Sequence, residues 1–316
     1  MRVFNKVFLL RVKKQGLITT VRKGSDKIRY FLRVMRDFRV SSVLKFVRVK
    51  LPSFLPNYSK IKNYNVKEVE NSIEKEDIEV VDYIADRNKF DEFSKTFNFG
   101  IDFYDGKNNP VWTEKVLEHF IAWEMVVRDL KKDDIYVDVA AASSPWVKML
   151  NEKGVKAIGI DLDRSYKFPD DPNYLVMDAT KTSFKDGSIS GVSLQCAFEM
   201  FTGNDDTDLM KELGRILKPE GKAVIVPLYM HDHYCGYTTK DYRFSKRYHD
   251  KGAKLYINKS MTGIPFARFY NVEKLKNRVL YTAEKYGLEY KIYVLRNGKE
   301  IHEGVYCHFI LELIKR

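Results

Sequence analysis

From residue 135 onward, short apolar runs alternate with helical stretches, and no other feature of this 316-residue chain limits its fold so sharply. Strands joined through a helix run parallel in one sheet, because the crossover brings the chain back to start the next strand from the same side. The runs are Ile135–Ala140, Val155–Asp161, Tyr174–Met177, Ile189–Gln195 and Lys222–Leu228. Pro145 suits the first turn of a helix that starts about Ser144. Leu209, Met210, Leu213, Ile216 and Leu217 share one face of a helix that begins near Asn204–Asp206 and ends at Lys218-Pro219-Glu220-Gly221. Asn271–Tyr286 is a further helix, stopped by Gly287. Glu289–Leu295 and Val305–Ile314 then follow one another across a segment containing Asn297-Gly298, which predicts an antiparallel pair. The expected fold class is α/β: a Rossmann-like, doubly wound, mostly parallel seven-stranded sheet with an antiparallel last strand, plus an N-terminal helical extension.

That extension covers residues 63–134, which read as helical throughout. Asn65–Asp82 is acidic and polar. Trp112–Leu130 carries Val116, Leu117, Phe120, Ile121 and Val127 at helical spacing, with Thr113 placed to cap and Glu114 in the first turn. The plain reading is a helix packed on the following domain. Phe97–Asp105, with Phe99, Phe103 and Tyr104, is a candidate pocket wall. The division expected is a basic arm over 1–62, a helical extension over 63–130 and the α/β domain over 131–316.

Charge separates these parts. The chain is +12 overall, with 55 Lys and Arg against 43 Asp and Glu. Residues 1–62 hold 17 of those bases and only Asp26 and Asp37 as acids, a net of +15, so the rest of the chain sums to −3. Within the arm, Ile28, Phe31, Leu32, Met35 and Phe38 form a helical stripe, and Lys27, Arg29, Arg33, Arg36 and Arg39 lie mostly outside it. Such a segment suits a membrane interface, with about 1 kcal/mol gained per base near an anionic leaflet. Basic residues interleaved with aromatics also suit RNA phosphates and bases, and an arm packed on its own domain is the third reading. Three scattered cysteines, Cys196, Cys235 and Cys307, give neither a disulfide framework nor a zinc spacing, which favours a reducing compartment. No run reaches the length of a membrane span. The location expected is cytoplasmic, peripheral at the inner face of the membrane.

In an open α/β sheet, ligands sit beyond the carboxyl ends of the strands. Acids stand at three such ends: Asp138, Asp161 and Asp178. Asp161 follows Asp138 at about the spacing of the acid that receives ribose hydroxyls in dinucleotide-binding domains. The runs Tyr136–Pro145, Gly159-Ile-Asp-Leu-Asp163, Met177-Asp-Ala179, Phe198-Glu199 and Glu212–Gly221 together resemble the successive motifs of class I S-adenosylmethionine-dependent methyltransferases, most closely the methyltransferase-11-like group. The likeness covers roughly residues 131–316. It implies S-adenosyl-L-methionine as cofactor. It also implies a turn over Asp138–Ser143, including Ala140, Ala142 and Ser143, along the methionine part. Asp161, with Leu162, would hold the ribose; Asp178, with Ala179, would face the adenine; and Gln195 would lie beneath the sulfonium. One departure is plain. The family's first loop is usually glycine-rich, whereas this one runs Ala140-Ala-Ala-Ser-Ser-Pro145, whose residue types disfavour positive φ. A differently shaped loop, or a looser hold on the cofactor, is therefore expected.

Methyl transfer to a hydroxyl benefits from a general base. Candidates after strands four and five are Glu199, His231 and His233. The two histidines flank Asp232, so both imidazoles share one side of an extended chain. With an acid they are also two metal ligands, too few to assign a metal, and none is expected. Residues 231–270, with Tyr234, Tyr237, Tyr242, Arg243, Arg247, Tyr248 and His249, read as an aromatic and basic insert suited to a sugar or an anionic acceptor, or as a lid. The function expected is O-methylation of a sugar or lipid-linked glycan at the membrane face, the acceptor being a small molecule or glycan. An RNA methyltransferase and a non-catalytic scaffold are the alternatives, although the chain lacks the Asn/Asp-Pro-Pro-aromatic run of amino-methylating nucleic-acid enzymes.

Overall fold

A computed structural model describes residues 65–100, 103–104, 106–109, 111–141, 144–242 and 250–316. The basic arm, Ala142, Ser143, Arg243, Arg247, Tyr248 and His249 lie outside the described residues.

The central sheet has eight strands: β1 (Val80–Tyr83), β2 (Ile135–Val139), β3 (Lys156–Asp161), β4 (Tyr174–Val176), β5 (Ile189–Gln195), β6 (Leu217–Leu228), β10 (Leu288–Leu295) and β11 (Phe309–Lys315). Their order across the sheet is β4-β3-β2-β5-β6-β11-β10-β1. Strands β4 to β6 are parallel to one another, and β11 is antiparallel to both β6 and β10. The expected seven strands are all present. The eighth, β1, corrects the helical reading of residues 63–134. Helix α1 (Val66–Glu74) ends early, and Val80–Tyr83 pairs in parallel with Ile292–Leu295 at the sheet edge.

Alternation along the strands divides the core between two faces. Val137, Val139, Val192, Leu194, Ala223 and Ile225 pack on one face with α1, α5 (Asp205–Ile216) and the helical run from α6 (Val272–Leu275) to α7 (Tyr281–Lys285). Tyr136, Ala157, Val224, Val226 and Ile310 pack on the other face with α2 (Arg87–Thr96), α3 (Trp112–Ala122) and α4 (Trp146–Glu152). Asp138, one residue past Val137, therefore belongs to the α3 side. Helix α3 continues as a π turn over Trp123–Val127, and its N-cap is Val111 with no side-chain cap, not Thr113. Gly191 lets this turn lie on the sheet: a Cβ there would come within 2.5 Å of Val126 Cγ1.

The insert after β6 forms a second, three-stranded sheet in the order β8-β7-β9: β7 (Cys235–Thr239), β8 (Lys254–Asn258) and β9 (Ala267–Phe269). It is pinned to the main domain through Arg268. That buried guanidinium meets Asp206 at 2.7 Å and Asp250 at 2.6 Å, and donates to Tyr270 Oη at 2.9 Å and to the Gly203 carbonyl at 3.2 Å.

Candidate active site

The strand order turns back between β2 and β5, since β3 and β4 extend one way from that point and β6 the other. A cavity of about 420 Å³ opens there, a size ordinary for a small-molecule site. Its floor is the strand ends: Asp138 and Ala140 after β2, Gln195 and Cys196 after β5. Its wall is α3, through Lys115, Glu118 and His119, together with Phe103 and Tyr104. The candidate wall read from Phe97–Asp105 thus supplies two lining residues, while Phe99 is buried behind them against Phe103 and Trp146.

The loop after β2 is held by backbone and tyrosine contacts. Ala141 N–H donates to the Ile160 carbonyl at 3.1 Å, and Ser144 N–H to the Ala141 carbonyl at 2.9 Å. Tyr174 Oη donates to the Ser144 carbonyl at 2.5 Å. Ala141 sits over Gly159, where a Cβ would come within 3.0 Å of the alanine methyl. The expectation drawn from the missing glycines is corrected at one position: Ala140 adopts φ +57 despite its Cβ, in the left-handed region glycine would favour.

Asp138 is buried, and burial together with the neighbouring charge of Asp161 holds its carboxyl well above the ordinary carboxylate range. Asp161 closes β3 and accepts from Asp163 N–H at 3.2 Å. It lines a small cleft with Asp163, Ser165 and Tyr174. Leu162, beside it, is 62% exposed, and Tyr166, which lines the cavity, is 64% exposed. Asp178 is exposed and accepts from Thr180 through both its amide and its hydroxyl. Ala179 is half-buried. Gln195 Nε2 donates to Ser193 Oγ at 2.8 Å. A paired, partly buried set of acidic acceptors suits a ligand rich in hydroxyl and amino donors, which is the chemistry of the methionine and ribose parts of S-adenosylmethionine.

The sequence reading missed the charged interior of α3. Lys115 Nζ meets Glu118 Oε1 at 2.6 Å, both side chains nearly inaccessible, and lies 5.3 Å from the Tyr306 ring centroid. Glu114 accepts from Tyr306 N–H at 2.9 Å. Glu199, on the turn after β5, accepts from Cys196 Sγ at 3.2 Å. Among the described residues, Glu114 Oε1, Glu118 Oε2 and Glu199 Oε2 are buried without a hydrogen-bond partner. Burial raises the carboxyl pKa of all three. For Lys115, burial opposes the charged form, but the surrounding anionic groups, Glu118 foremost, outweigh it and push its pKa up. His119 is held neutral, its pKa lowered to about 4 by burial. It donates from Nδ1 to the Lys115 carbonyl at 2.7 Å, so its Nε2 is the acceptor 3.3 Å from Ser144 Oγ. A signal was present: Glu114/Glu118 and Lys115/His119 recur four apart in a helix with no wide polar face.

His231 and His233 are not among the cavity-lining residues. They stand at the start of the insert, their rings 4.3 Å apart, with both Nδ1 atoms on Asp232 Oδ1. Glu199 is likewise outside the lining, one contact behind Cys196.

The family model described as a methyltransferase domain matches residues 137–225, the segment from β2 to β6 that supplies the cavity floor. No curated protein matches the chain at the level of sequence. Among solved structures, the chain is similar to an S-adenosylmethionine-dependent methyltransferase of Methanosarcina mazei, at 17% identity and TM-score 0.41 over 60% of this chain and 95% of that one. It is also similar to the 1,6-didemethyltoxoflavin-N1-methyltransferase of Burkholderia thailandensis, bound to 1,6-didemethyltoxoflavin and S-adenosylhomocysteine, at 11% identity and TM-score 0.46 over 73% and 91%. The methyltransferase-domain match thus lies on the strands and strand-end loops that form the cavity floor, and it is over residues 137–225 that the chain is similar to that family.

Proposed function

We propose that the cavity between the strand ends and α3 methylates a small hydroxylated acceptor, a sugar or lipid-linked glycan, and that the basic arm of residues 1–62 holds the enzyme at an anionic membrane face. The observation that carries the acceptor class is the buried carboxyl of Glu118 on the cavity wall, with Glu114 and Glu199 behind it. Burial holds the Glu118 carboxyl above its ordinary pKa, and a carboxyl can hydrogen-bond to a hydroxyl as donor when protonated or as acceptor when ionised.

When bound, the cofactor supplies an electrophilic methyl group. Asp161, with Leu162 beside it, would receive the ribose hydroxyls, and Asp178 with Ala179 would face the adenine. Asp138 and Ala140 would line the methionine part, and Gln195 would support the sulfonium side. Glu118 takes the acceptor's proton as the new bond forms. Lys115 keeps that carboxyl in place, and Glu199 braces Cys196 beneath it. The base role falls to Glu118 rather than to His231 or His233, because Glu118 is part of the cavity wall. Holding the two reactants in line within a closed wall supplies much of the acceleration.

The test is transfer of labelled methyl from S-adenosylmethionine, with polyprenyl-linked saccharides and total RNA offered side by side, and flotation with anionic vesicles. Label in the saccharide together with flotation supports the proposal. Label in RNA, with binding that weakens steeply as salt rises, overturns it in favour of a nucleic-acid substrate.

A further inference from the structure

A second site lies at the start of the insert, apart from the cavity. His231, His233 and Cys235 stand two apart across a bend at residues 232 and 233 that leads into β7, and the bend gathers their side chains. One nitrogen of each imidazole and the thiol sulfur all lie within 4.8 Å of one another. Both Nδ1 atoms converge on a single oxygen of Asp232. Cys235 is fully buried, and its thiol is pushed up to about 12 by burial and then by the Asp232 charge. The backbone beneath is tied to its neighbours. His231 N–H donates to the Tyr270 carbonyl at 2.8 Å, Tyr270 N–H donates to the Tyr229 carbonyl at 2.9 Å, and Cys235 is paired to both β8 and β9.

A histidine–aspartate–histidine cluster alone is an ordinary hydrogen-bond network. The thiol adds nothing to that network, yet it completes a donor set. Two imidazole nitrogens, one sulfur and an adjacent carboxylate oxygen match a tetrahedral transition-metal site, and thiolate with imidazole selects zinc over magnesium or calcium. Ligand atoms around tetrahedral zinc stand about 3.3–3.6 Å apart, as follows from metal–ligand bonds of about 2.0–2.3 Å.

We propose that His231, His233 and Cys235 bind a zinc ion, with Asp232 the nearest oxygen for the fourth position. The ion replaces the thiol proton, which passes to solvent, and fastens the crossing from β6 to the three-stranded sheet. Its role is to hold the insert, and the methyl-transfer cavity is a separate place.

The test uses the full chain, freed of metal by a chelator and then titrated with cobalt(II) as a spectroscopic stand-in and with zinc. The expected result is one equivalent bound, strong visible bands of tetrahedral cobalt, a near-ultraviolet thiolate-to-cobalt band, and displacement of both by zinc. Cys235→Ser should abolish the thiolate band and weaken binding at least tenfold. Should that variant fail to fold, X-ray absorption of the zinc-loaded wild-type chain decides, with one sulfur expected about 2.3 Å from the zinc. Absence of stoichiometric cobalt, a spectrum without the thiolate band, or a zinc shell without sulfur overturns the proposal.

Discussion

Replacing Lys115 by Met keeps the aliphatic stem and removes the cation that meets Glu118 within the carboxyl cluster. In the native protein its Nζ stands 2.6 Å from Glu118 Oε1, with side-chain exposures of 6% and 1%. Removing one partner of a buried pair costs about 3–5 kcal/mol when the other is left charged. Glu118 can escape part of that cost by taking up a proton, so the loss depends on pH. Lys115 lowers the pKa of Glu114, Glu118 and Glu199 against the opposing effect of burial. Without it, the native state of Lys115→Met holds protons on these groups to higher pH than the wild type does. The unfolded chain releases them in the ordinary carboxyl range. Between those two limits the native variant binds more protons than the unfolded one, so its stability falls as pH rises. Urea titrations of both proteins at about pH 5, 7 and 9 should show a small loss at the acid end that grows towards about 3–5 kcal/mol at the alkaline end, with unchanged slope. A loss below about 1 kcal/mol at every pH is what a solvent-screened surface pair gives, and it would refute the buried cluster.

Three other substitutions probe the frame around the cavity. Ala140→Gly should stabilise the protein by up to about 1 kcal/mol by relieving the left-handed backbone, and chemical denaturation that shows the ordinary Ala-to-Gly loss would contradict that geometry. Gly191→Ala should cost about 1–3 kcal/mol, because its Cβ would enter Val126, and an unchanged melting temperature would mean that the π turn after α3 does not lie on β5. Arg268→Met should cost about 1.5–3 kcal/mol by taking a charged donor from Asp206 and Asp250, which Arg278 and Tyr234 still partner, with Arg268→Lys recovering only part; calorimetric unfolding reads both, and full recovery by lysine would argue against the forked contacts.

Much of the sheet was legible because its pattern is local. Ile189–Gln195 occupies the expected limits, and the strand-end acids stand where alternating runs of apolar residues put them. The closing pair is antiparallel as expected, although Gly298–Ile301 is a turn of helix and not a tight hairpin. What escaped depends on distant neighbours. Val80–Tyr83 is four residues in an acidic stretch, and it becomes a strand only because β10 offers it an open edge. Glu114 and Glu118 are buried by distant parts of the chain, Glu114 taking the backbone N–H of Tyr306, which the local pattern of the helix does not contain. In the insert, Cys235–Thr239 and Lys254–Asn258 carry too few apolar residues to announce a sheet. Ala140 shows that a residue type can disfavour a backbone conformation that its surroundings still impose.

Titration calorimetry of the full chain with S-adenosylmethionine tests the central claim most directly. One molecule should bind per chain. Asp161→Ala, which removes the proposed charge-assisted hydrogen bonds to the ribose, should weaken binding at least about tenfold, since each such bond contributes roughly 1.5–3 kcal/mol. No detectable binding by the wild type, or an Asp161→Ala isotherm indistinguishable from it, would contradict the account.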